Sequence, residues 1–206
     1  MRKITKGAEP KELSDWKRKN PHGRYPDLTN IERGAINQST RKEQFGLCAY
    51  CCKAIDENNS MNEHIEAQNI AKNRTLDFSN IVASCTTKGR CDDVHGSQPL
   101  PLTPLMDECE TELKFYFSGK VEGLTDTANI SLDVLALRGT EDKDSIKYER
   151  KYMIENLLVP DTPDGMNFLE DDLIAVLIDE LVTPNENGQL QAYSPVLVNV
   201  LRQMMV

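Results

Sequence analysis

Four cysteines are spaced like the ligands of a structural zinc ion. Cys48 and Cys51 are separated by two residues, and Cys85 and Cys91, separated by five, follow after 33 intervening residues. Four thiolates on two loops can complete a tetrahedral zinc site and hold together a module whose apolar core is small. The loop between Cys85 and Cys91 is longer than usual and must bulge outward. We predict a four-cysteine zinc site, with buried unligated cysteines as the alternative.

Two more cysteines, Cys52 and Cys109, lie outside this pattern and are expected to pack in the interior. The first residues are charged and no apolar segment follows them, so they do not read as a secretion signal. Thiolates are therefore expected rather than disulfides. A redox role for Cys51 or Cys52 is an alternative, although no thioredoxin-like βαβ pattern surrounds them.

Between and just beyond the zinc cysteines lie residues suited to phosphodiester hydrolysis: Glu63, His64, Asn80 and His95. That reaction needs a base to deprotonate water and a divalent cation to neutralise charge on the phosphate. His64 is assigned as the base, because an imidazole has a pKa of about 6.5. Glu63 and Asn80 offer oxygen ligands for Mg²⁺, and His95 is either a third ligand or a phosphate contact. Direct ligation by imidazole would favour Mn²⁺, Ni²⁺ or Zn²⁺.

Glu63 and His64 are neighbours in the sequence, which constrains how both can serve one site. On a regular strand, successive side chains point to opposite faces. The end of the strand must therefore twist or bulge for both side chains to reach the same site, unless Glu66 supplies the carboxylate instead.

Basic residues surround this group and could position phosphates. The alternative for each of them is simple solvation at the surface. No segment is rich in the Arg, Asn and Gln residues with which a recognition helix reads base edges, so sequence-specific binding is not expected. The residues assigned to nucleic-acid contact are Lys53, Arg74, Lys88 and Arg90, with Lys72 nearby.

Helices and short strands must position these residues, and the pattern predicts an α+β fold. Helices are expected over residues 9–19 and 30–45, the second after an N-cap and before a stop at Gly46. The second helix carries Arg33, Arg41 and Lys42 on its surface. These three residues are either solvated or in contact with phosphate.

Extended segments follow in the cysteine region. Residues 47–56 and 60–66 are predicted to pair as a hairpin around a turn at 57–60. The remaining predictions here are a polar connection over 67–79, a short half-apolar segment over 80–85 and a loop over 86–104.

The region beyond residue 105 has a different character. Residues 112–118 and 120–124 are predicted to pair across Gly119, and residues 130–138 are either helical or extended. Apolar residues at spacings of three and four predict helices over 143–158, 168–183 and 194–205.

Charge is distributed unevenly along the 206 residues, whose net charge is −9. Residues 1–45 carry +5 (11 basic, 6 acidic), residues 46–106 carry −2 (5 and 7), and residues 107–206 carry −12 (8 and 20). The first half can therefore face phosphate despite the overall charge. The longest apolar run has six residues, where a membrane span needs about 20, so we expect a cytoplasmic protein without membrane contact.

The order and spacing of these motifs resemble the HNH (ββα-metal) endonucleases. The resemblance covers about residues 47–97 and implies a metal-dependent nuclease built on a small zinc-stapled ββα core. In that family the first histidine closes the second strand of a hairpin, and the asparagine lies in the connection before the helix. The motifs that carry it are C-x2-C from Cys48, the Glu63-His64-Ile65 run, Asn80-Ile81-x3-Cys85 and Cys91-x3-His95-Gly96.

More narrowly, the chain resembles the HNH (PtuB-like) subunits of Septu anti-phage systems, whose relatives occur in retron defence systems. The segments MRKITKGAEPKEL, CAYC, EHI, SNIVASC and the C-D-x2-H-G run carry this resemblance. It implies an effector nuclease that acts on DNA, with RNA as the alternative substrate. It also implies a PtuA-like ABC/SMC-type ATPase as partner and, in retron systems, a reverse transcriptase with its RNA/DNA.

The resemblance implies three parts: basic N-terminal helices over 1–46, the nuclease core over 47–105, and an acidic, mainly helical partner-binding extension over 106–206. An ATPase could dock on apolar helix residues of the extension, although packing in the core is the alternative use of each. These residues are Leu173, Val176, Leu177 and Leu181. The competing interpretation of the whole chain is a non-catalytic zinc-stapled module that binds nucleic acid or protein.

Overall fold

The computed structural model describes residues 1–143, 145–158 and 171–205. The two N-terminal helices are where the sequence predicts them: α1 spans Lys11–Lys19 and α2 spans Asn30–Glu43. Thr29 caps α2, because its hydroxyl accepts the Ile31 N–H while the Glu32 carboxylate accepts the Thr29 N–H.

A small apolar cluster fixes these helices against the first sheet. Leu13 of α1 and Ile36 of α2 are fully buried and cluster with the buried Phe78 and Ile81. Because Ile81 starts a strand of the candidate site, this cluster determines where α2 lies relative to that site.

The first sheet has two antiparallel strands, β1 (Ser60–His64) and β2 (Ile81–Cys85), with His64 opposite Ile81. A one-turn helix, α3 (Asp92–His95), follows β2. The predicted pairing of residues 47–56 with 60–66 is wrong. His64 therefore ends the first strand rather than the second, and Asn80 lies directly before β2 rather than before the helix.

The reason for this difference is the turn around the first cysteine pair. Residues 47–54 fold back on themselves: Leu47 bridges Ala54, the Cys48 N–H bonds to the Lys53 carbonyl, and the Cys52 N–H bonds to the Cys48 carbonyl. These bonds use the backbone groups that a hairpin with β1 would need. The entirely buried strand β2, rather than residues 47–56, is therefore the partner of β1.

The second sheet confirms the predicted strand pair across Gly119. Strands β3 (Leu113–Phe115) and β4 (Val121–Gly123) are antiparallel. Gly119 has a positive φ of 76°, and a Cβ there would lie 1.9 Å from the carbonyl oxygen of Lys147, so only glycine fits this turn.

The helices of the C-terminal half agree with the sequence. Residues 130–138, which could have been helical or extended, contribute to helix α4, and the three predicted later helices are present. Residue 144 of the first predicted helix and residues 168–170 of the second lie outside the described residues. The bounds are α4 Asp126–Val134, α5 Ile146–Leu158, α6 Asp171–Val182 and α7 Ser194–Arg202.

One continuous apolar cluster joins the cysteine loops to the C-terminal helices. It includes Tyr50 beside the first cysteine pair, Leu135 at the end of α4, and Leu197 and Leu201 of α7. The mixture of helices and small sheets is the predicted α+β class. Within the described ranges, no helix has the length and apolar character needed to cross a membrane.

Candidate functional site

The four predicted zinc cysteines converge. Cys48, Cys51, Cys85 and Cys91 are all buried, and their sulfur atoms lie within 4.8 Å of one another. The Cys48–Cys91 and Cys51–Cys85 sulfur distances are 3.9 and 3.8 Å. A regular tetrahedron with Zn–S bonds of about 2.3 Å has sulfur atoms about 3.8 Å apart. The cluster therefore has the ligands and the size to hold a zinc ion.

Local backbone geometry explains how the longer second loop reaches the cluster. Gly89 and Cys91 both have positive φ, 76° and 58°. These two residues turn the five-residue connection back toward Cys85, which is the outward bulge that the spacing requires. The Cys85 N–H donates to the Cys48 sulfur over 3.3 Å, so β2 is also tied to the first pair.

The thiols of the cluster compete for protons. Hydrogen bonds with Cys48, Cys51 and Cys91 hold the pKa of Cys85 far below its ordinary value. The same kind of contact raises the pKa of Cys91. A buried group in which thiolate and thiol forms alternate is one that a divalent cation would stabilise.

Glu63 and His95 meet at the junction of β1 and α3. The His95 Nδ1 contacts the Glu63 Oε1, and the Tyr50 hydroxyl donates to the same carboxylate oxygen over 3.2 Å. The His95 Nε2 donates to the Gln98 carbonyl over 2.9 Å. Burial alone would lower the pKa of His95, but the hydrogen bond and charge of Glu63 outweigh it and raise this pKa.

Asp92 is a member of this group that sequence reasoning missed. Burial and its contact with Glu63 raise the pKa of the Asp92 carboxyl to about 8. Hydrogen bonds from His95 and Asp92 in turn lower the pKa of Glu63, although burial opposes them. The only sequence signal was the position of Asp92 in the C-D-x2-H-G run.

These residues fit a divalent cation. Glu63 and Asp92 bring two carboxylates together beside the His95 ring, and a divalent ion would offset the charge of both carboxylates. Two carboxylates and an imidazole suit Mg²⁺, Mn²⁺ or Ni²⁺, and Mg²⁺ needs few protein ligands because it keeps several waters.

His64 lies beside Glu63 and Asp92, and its imidazole is neutral. Its Nε2 is 2.9 Å from the Thr75 carbonyl, which can only accept, so Nε2 carries the proton and Nδ1 keeps its lone pair. Burial lowers the pKa of His64 by more than the Thr75 bond and the Glu63 charge raise it. The ring meets Tyr25 edge to face, with ring centroids 4.7 Å apart. A neutral imidazole of this kind can act as a base.

Glu63 and His64 reach the same groove, which Asp92 also lines. The strand register is regular through His64, so no bulge is needed in the pairing itself. His64 is the last residue of β1, and the Glu63 Oε2 accepts the His64 backbone N–H over 3.1 Å. The alternative carboxylate, Glu66, is instead paired with Arg74.

Asn80 is buried and holds the segment after His64. Its Oδ1 accepts the Glu66 N–H, and its Nδ2 donates to the Glu66 carbonyl, both over 2.9 Å. Asn80 lines a second cavity together with Ile65 and Glu66. Within the described chain, its side chain makes no hydrogen bond to Glu63 or His95, and a ligand role for Asn80 stays a prediction.

The four basic residues assigned to nucleic acid all have carboxylate partners. Lys53 and Arg90 face Glu149, at 4.0 and 2.8 Å. Arg74 pairs with Glu66 and Asp77, and Lys88 pairs with Asp93. Contact of these residues with nucleic acid stays a prediction.

Comparison with known proteins finds a partial relative but no matching family model. No protein-family model matches the chain. A protein of Escherichia coli named "Retron Ec83 putative HNH endonuclease" is 30% identical over 96 residues. The match covers 41% of this chain and 37% of that relative, so it spans little more than a third of the relative's length. The printed name of this relative agrees with the resemblance to HNH endonucleases.

Proposed function

We propose that the protein is a metal-dependent endonuclease of the HNH type, which hydrolyses phosphodiester bonds of DNA, with RNA as the alternative substrate. The observation that carries the proposal is the convergence of Glu63, His95 and Asp92 beside a neutral His64. The order β1, β2, α3 next to a cluster of four cysteines supports a ββα-metal core. The similarity to a retron protein with an HNH name supports it further.

Each residue then has a defined role. His64 Nδ1 takes the proton of the attacking water, while the Thr75 carbonyl fixes the ring through Nε2. Glu63 and His95 would hold the divalent cation, with Asp92 beside them. The bound cation would neutralise charge on the scissile phosphate. Asn80 is a positioning residue, because its amide fixes the backbone of Glu66 just beyond His64.

Plasmid cleavage tests this assignment with a matched histidine control. Purified protein is incubated with supercoiled plasmid and, separately, total RNA, with Mg²⁺, Mn²⁺ or Ni²⁺. We expect His64→Ala to lose cleavage while it keeps its fold and zinc, whereas His22→Ala, at an exposed histidine outside the site, cleaves like the parent. A folded His64→Ala protein that still cleaves nucleic acid with divalent metal would refute the assignment of His64 as the base.

The second candidate is a zinc-stapled binding module without catalysis. It is favoured by the fact that both buried histidines already have hydrogen-bond partners within the chain. Under this alternative, removal of zinc unfolds the cysteine region, and no divalent ion produces cleavage.

We also propose that the protein acts in the cytoplasm as the effector of an anti-phage complex with an ABC/SMC-type ATPase, joined in retron systems by a reverse transcriptase with its RNA/DNA. Leu173 and Val176 of α6 are exposed and suit a docking contact. Leu177 is half-buried and Leu181 is buried, so these two residues of the predicted docking face pack in the core.

Copurification with an ABC/SMC-type ATPase, sought among the proteins encoded next to this one, tests the docking proposal. Helix α7 is part of the core, so truncation after about residue 160 would disturb the fold as well as the surface. Surface substitutions are therefore the sharper test. We expect Leu173→Glu with Val176→Glu to release the ATPase, and Phe117→Glu, at another exposed apolar residue, to retain it. Equal retention by all variants would exclude this face.

A further inference from the structure

One face of α2 lines an open groove of about 580 Å³. The lining positions recur at intervals of three and four residues, so they form a single stripe along the helix. Strand β1 forms the opposite wall with Ser60, Met61 and Asn62. The stripe consists of Asn30, Arg33, Gly34, Asn37, Gln38 and Arg41.

This groove is continuous with the candidate active site. Tyr25, Arg33, Met61 and Asn62 line both the α2 groove and the groove that holds Glu63, His64 and Asp92. The Asn62 amide donates to the Tyr25 hydroxyl and to the Arg33 carbonyl, at 3.0 and 2.8 Å. The α2 face therefore leads directly to the ring of His64.

The two arginines of this face are available to bind an external anion. Within the described residues, neither Arg33 nor Arg41 forms an ion pair, whereas the four basic residues near the cysteines do. Arg33 donates to the Pro26 carbonyl over 2.9 Å, and Arg41 Nε donates to the Asn37 Oδ1 over 2.8 Å. Glu57 is the acidic residue of the lining, so the groove keeps a net positive charge.

Two polar atoms beneath this surface lack a partner, and the centre of the stripe is open. The Arg33 Nε and the Asn62 Oδ1, at the junction of the two grooves, are buried and have no hydrogen-bond partner among the described residues. A Cβ built on Gly34 meets no atom within 4 Å, so the helix backbone is open to close approach at the centre of the stripe.

We propose that this α2 face binds the sugar-phosphate backbone of the nucleic-acid substrate and directs it to His64. Arg33 and Arg41 are eight residues apart, which is about 12 Å along a helix. One strand of a duplex advances about 3.4 Å per nucleotide, so the stripe can follow three to four nucleotides. Amide side chains and arginines are the usual donors to phosphate oxygens. The inference rests on the proposed nuclease function, because it adds the substrate-binding surface of that site.

Binding by the full chain tests this surface, with His64→Ala as the parent to prevent cleavage. A fluorescein-labelled DNA duplex of about 30 base pairs, and RNA of the same sequence, are titrated by fluorescence anisotropy at several salt concentrations. We expect Arg41→Glu to weaken binding at least about tenfold. Its matched control is Lys42→Glu, an equal charge change at an exposed neighbour outside the stripe, which should weaken binding less than about threefold.

Gly34 offers a second variant that does not depend on removing a side chain. Gly34→Glu places a carboxylate in the groove without steric conflict and replaces a glycine inside a helix, so the protein should be at least as stable as its parent. We expect binding to fall at least about tenfold. Gly34→Ala is the uncharged control.

Arg41→Gln should reduce the slope of log K against log salt by about 0.9, the value for one lost phosphate contact.

The outcomes separate this surface from the nuclease itself. Binding that depends on Arg41 and Gly34, without cleavage by the native protein under any metal, supports the surface and refutes the nuclease. Cleavage by the native protein, with Arg41→Glu and Lys42→Glu equally affected or both unaffected, overturns the surface and leaves the nuclease. Failure of the parent to bind either nucleic acid also overturns the surface.

Discussion

At the scale of single residues, the two buried histidines of the site are held in opposite states by their partners. Burial lowers the pKa of His64, whose bonding partner is a neutral carbonyl. His95 is also buried, but the Glu63 carboxylate raises its pKa. One imidazole is therefore available to accept a proton, and the other is fixed to a carboxylate as a metal ligand would be.

The lowered pKa of His64 predicts the pH dependence of cleavage. Only the neutral imidazole can act as the base, so kcat/KM must rise as pH increases through this pKa. Because the pKa is lower than the ordinary 6.5, we expect the acidic limb of the profile below pH 6.5 and a plateau at neutral pH. The check is kcat/KM against pH for an oligonucleotide substrate. A limb centred above pH 6.5 would contradict a neutral, buried base.

Asp92 predicts a change in metal requirement. Asp92→Asn removes a carboxylate next to Glu63, and we expect the divalent-ion concentration for half-maximal cleavage to rise by about tenfold to a hundredfold. Asp93→Asn is the matched control, because Asp93 contacts Lys88 and the Gly89 N–H instead. If both variants needed the same divalent-ion concentration for half-maximal cleavage, Asp92 would have no role in binding the cation.

Sequence reasoning found most of this group but not its arrangement. The cysteine cluster was predictable because four sulfur ligands of one ion impose a local spacing. Asp92 was missed, because its role depends on the one-turn helix α3 that brings it to Glu63. The engagement of Asn80 with the Glu66 backbone likewise depends on a fold that spacing does not reveal.

At the scale of elements, helices were easier to predict than the pairing of strands. The caps and apolar spacing of α1 and α2 are local properties of the chain. The partner of β1 is decided 17 residues further on, where β2 starts, and by the turn that removes residues 47–54 from competition. The hydrophobic periodicity of a segment does not show which distant segment it pairs with.

The cysteine loops predict a strict dependence of these elements on metal. Cys85→Ala removes one of four ligands, and we expect zinc content to fall below one ion per chain and the cooperative urea transition to be lost, because a structural zinc contributes about 10 kcal/mol or more. Cys52→Ala is the control, since Cys52 is buried beside the cluster but is not part of it. Stoichiometric zinc in Cys85→Ala would contradict the four-cysteine site.

At the scale of the whole molecule, Glu149 of α5 connects the cysteine region to the C-terminal helices. Arg90 bonds to both oxygens of this carboxylate, at 2.8 and 3.0 Å, and the Tyr193 hydroxyl, just before α7, donates to it as well. Sequence reasoning assigned Arg90 to nucleic acid, because a partner 59 residues away cannot be recognised from the local pattern.

This connection predicts a loss of stability when the charge of Glu149 is removed. Glu149→Gln leaves the nearly buried Arg90 without its ionic partner, and we expect a decrease of about 2 kcal/mol in the free energy of unfolding. Glu155→Gln, in an exposed pair with Lys151 on the same helix, should cost about 0.5 kcal/mol or less. Urea denaturation measures both, and equal effects would show that the Arg90 pair adds nothing to stability.

The ion pair of Arg90 with Glu149 also links the candidate site to helix α5. Arg90 directly precedes Cys91, and Asp92 and His95 follow within one helical turn, while the Cys91 N–H is bonded to the Leu135 carbonyl at the end of α4. A displacement of α5 would therefore act on the short segment that carries Cys91 of the cysteine cluster together with Asp92 and His95 of the candidate active site. The Arg90 guanidinium and the Cys91 N–H are thus two links between the candidate site and the acidic half of the chain, so a movement of its helices would change the positions of Asp92 and His95.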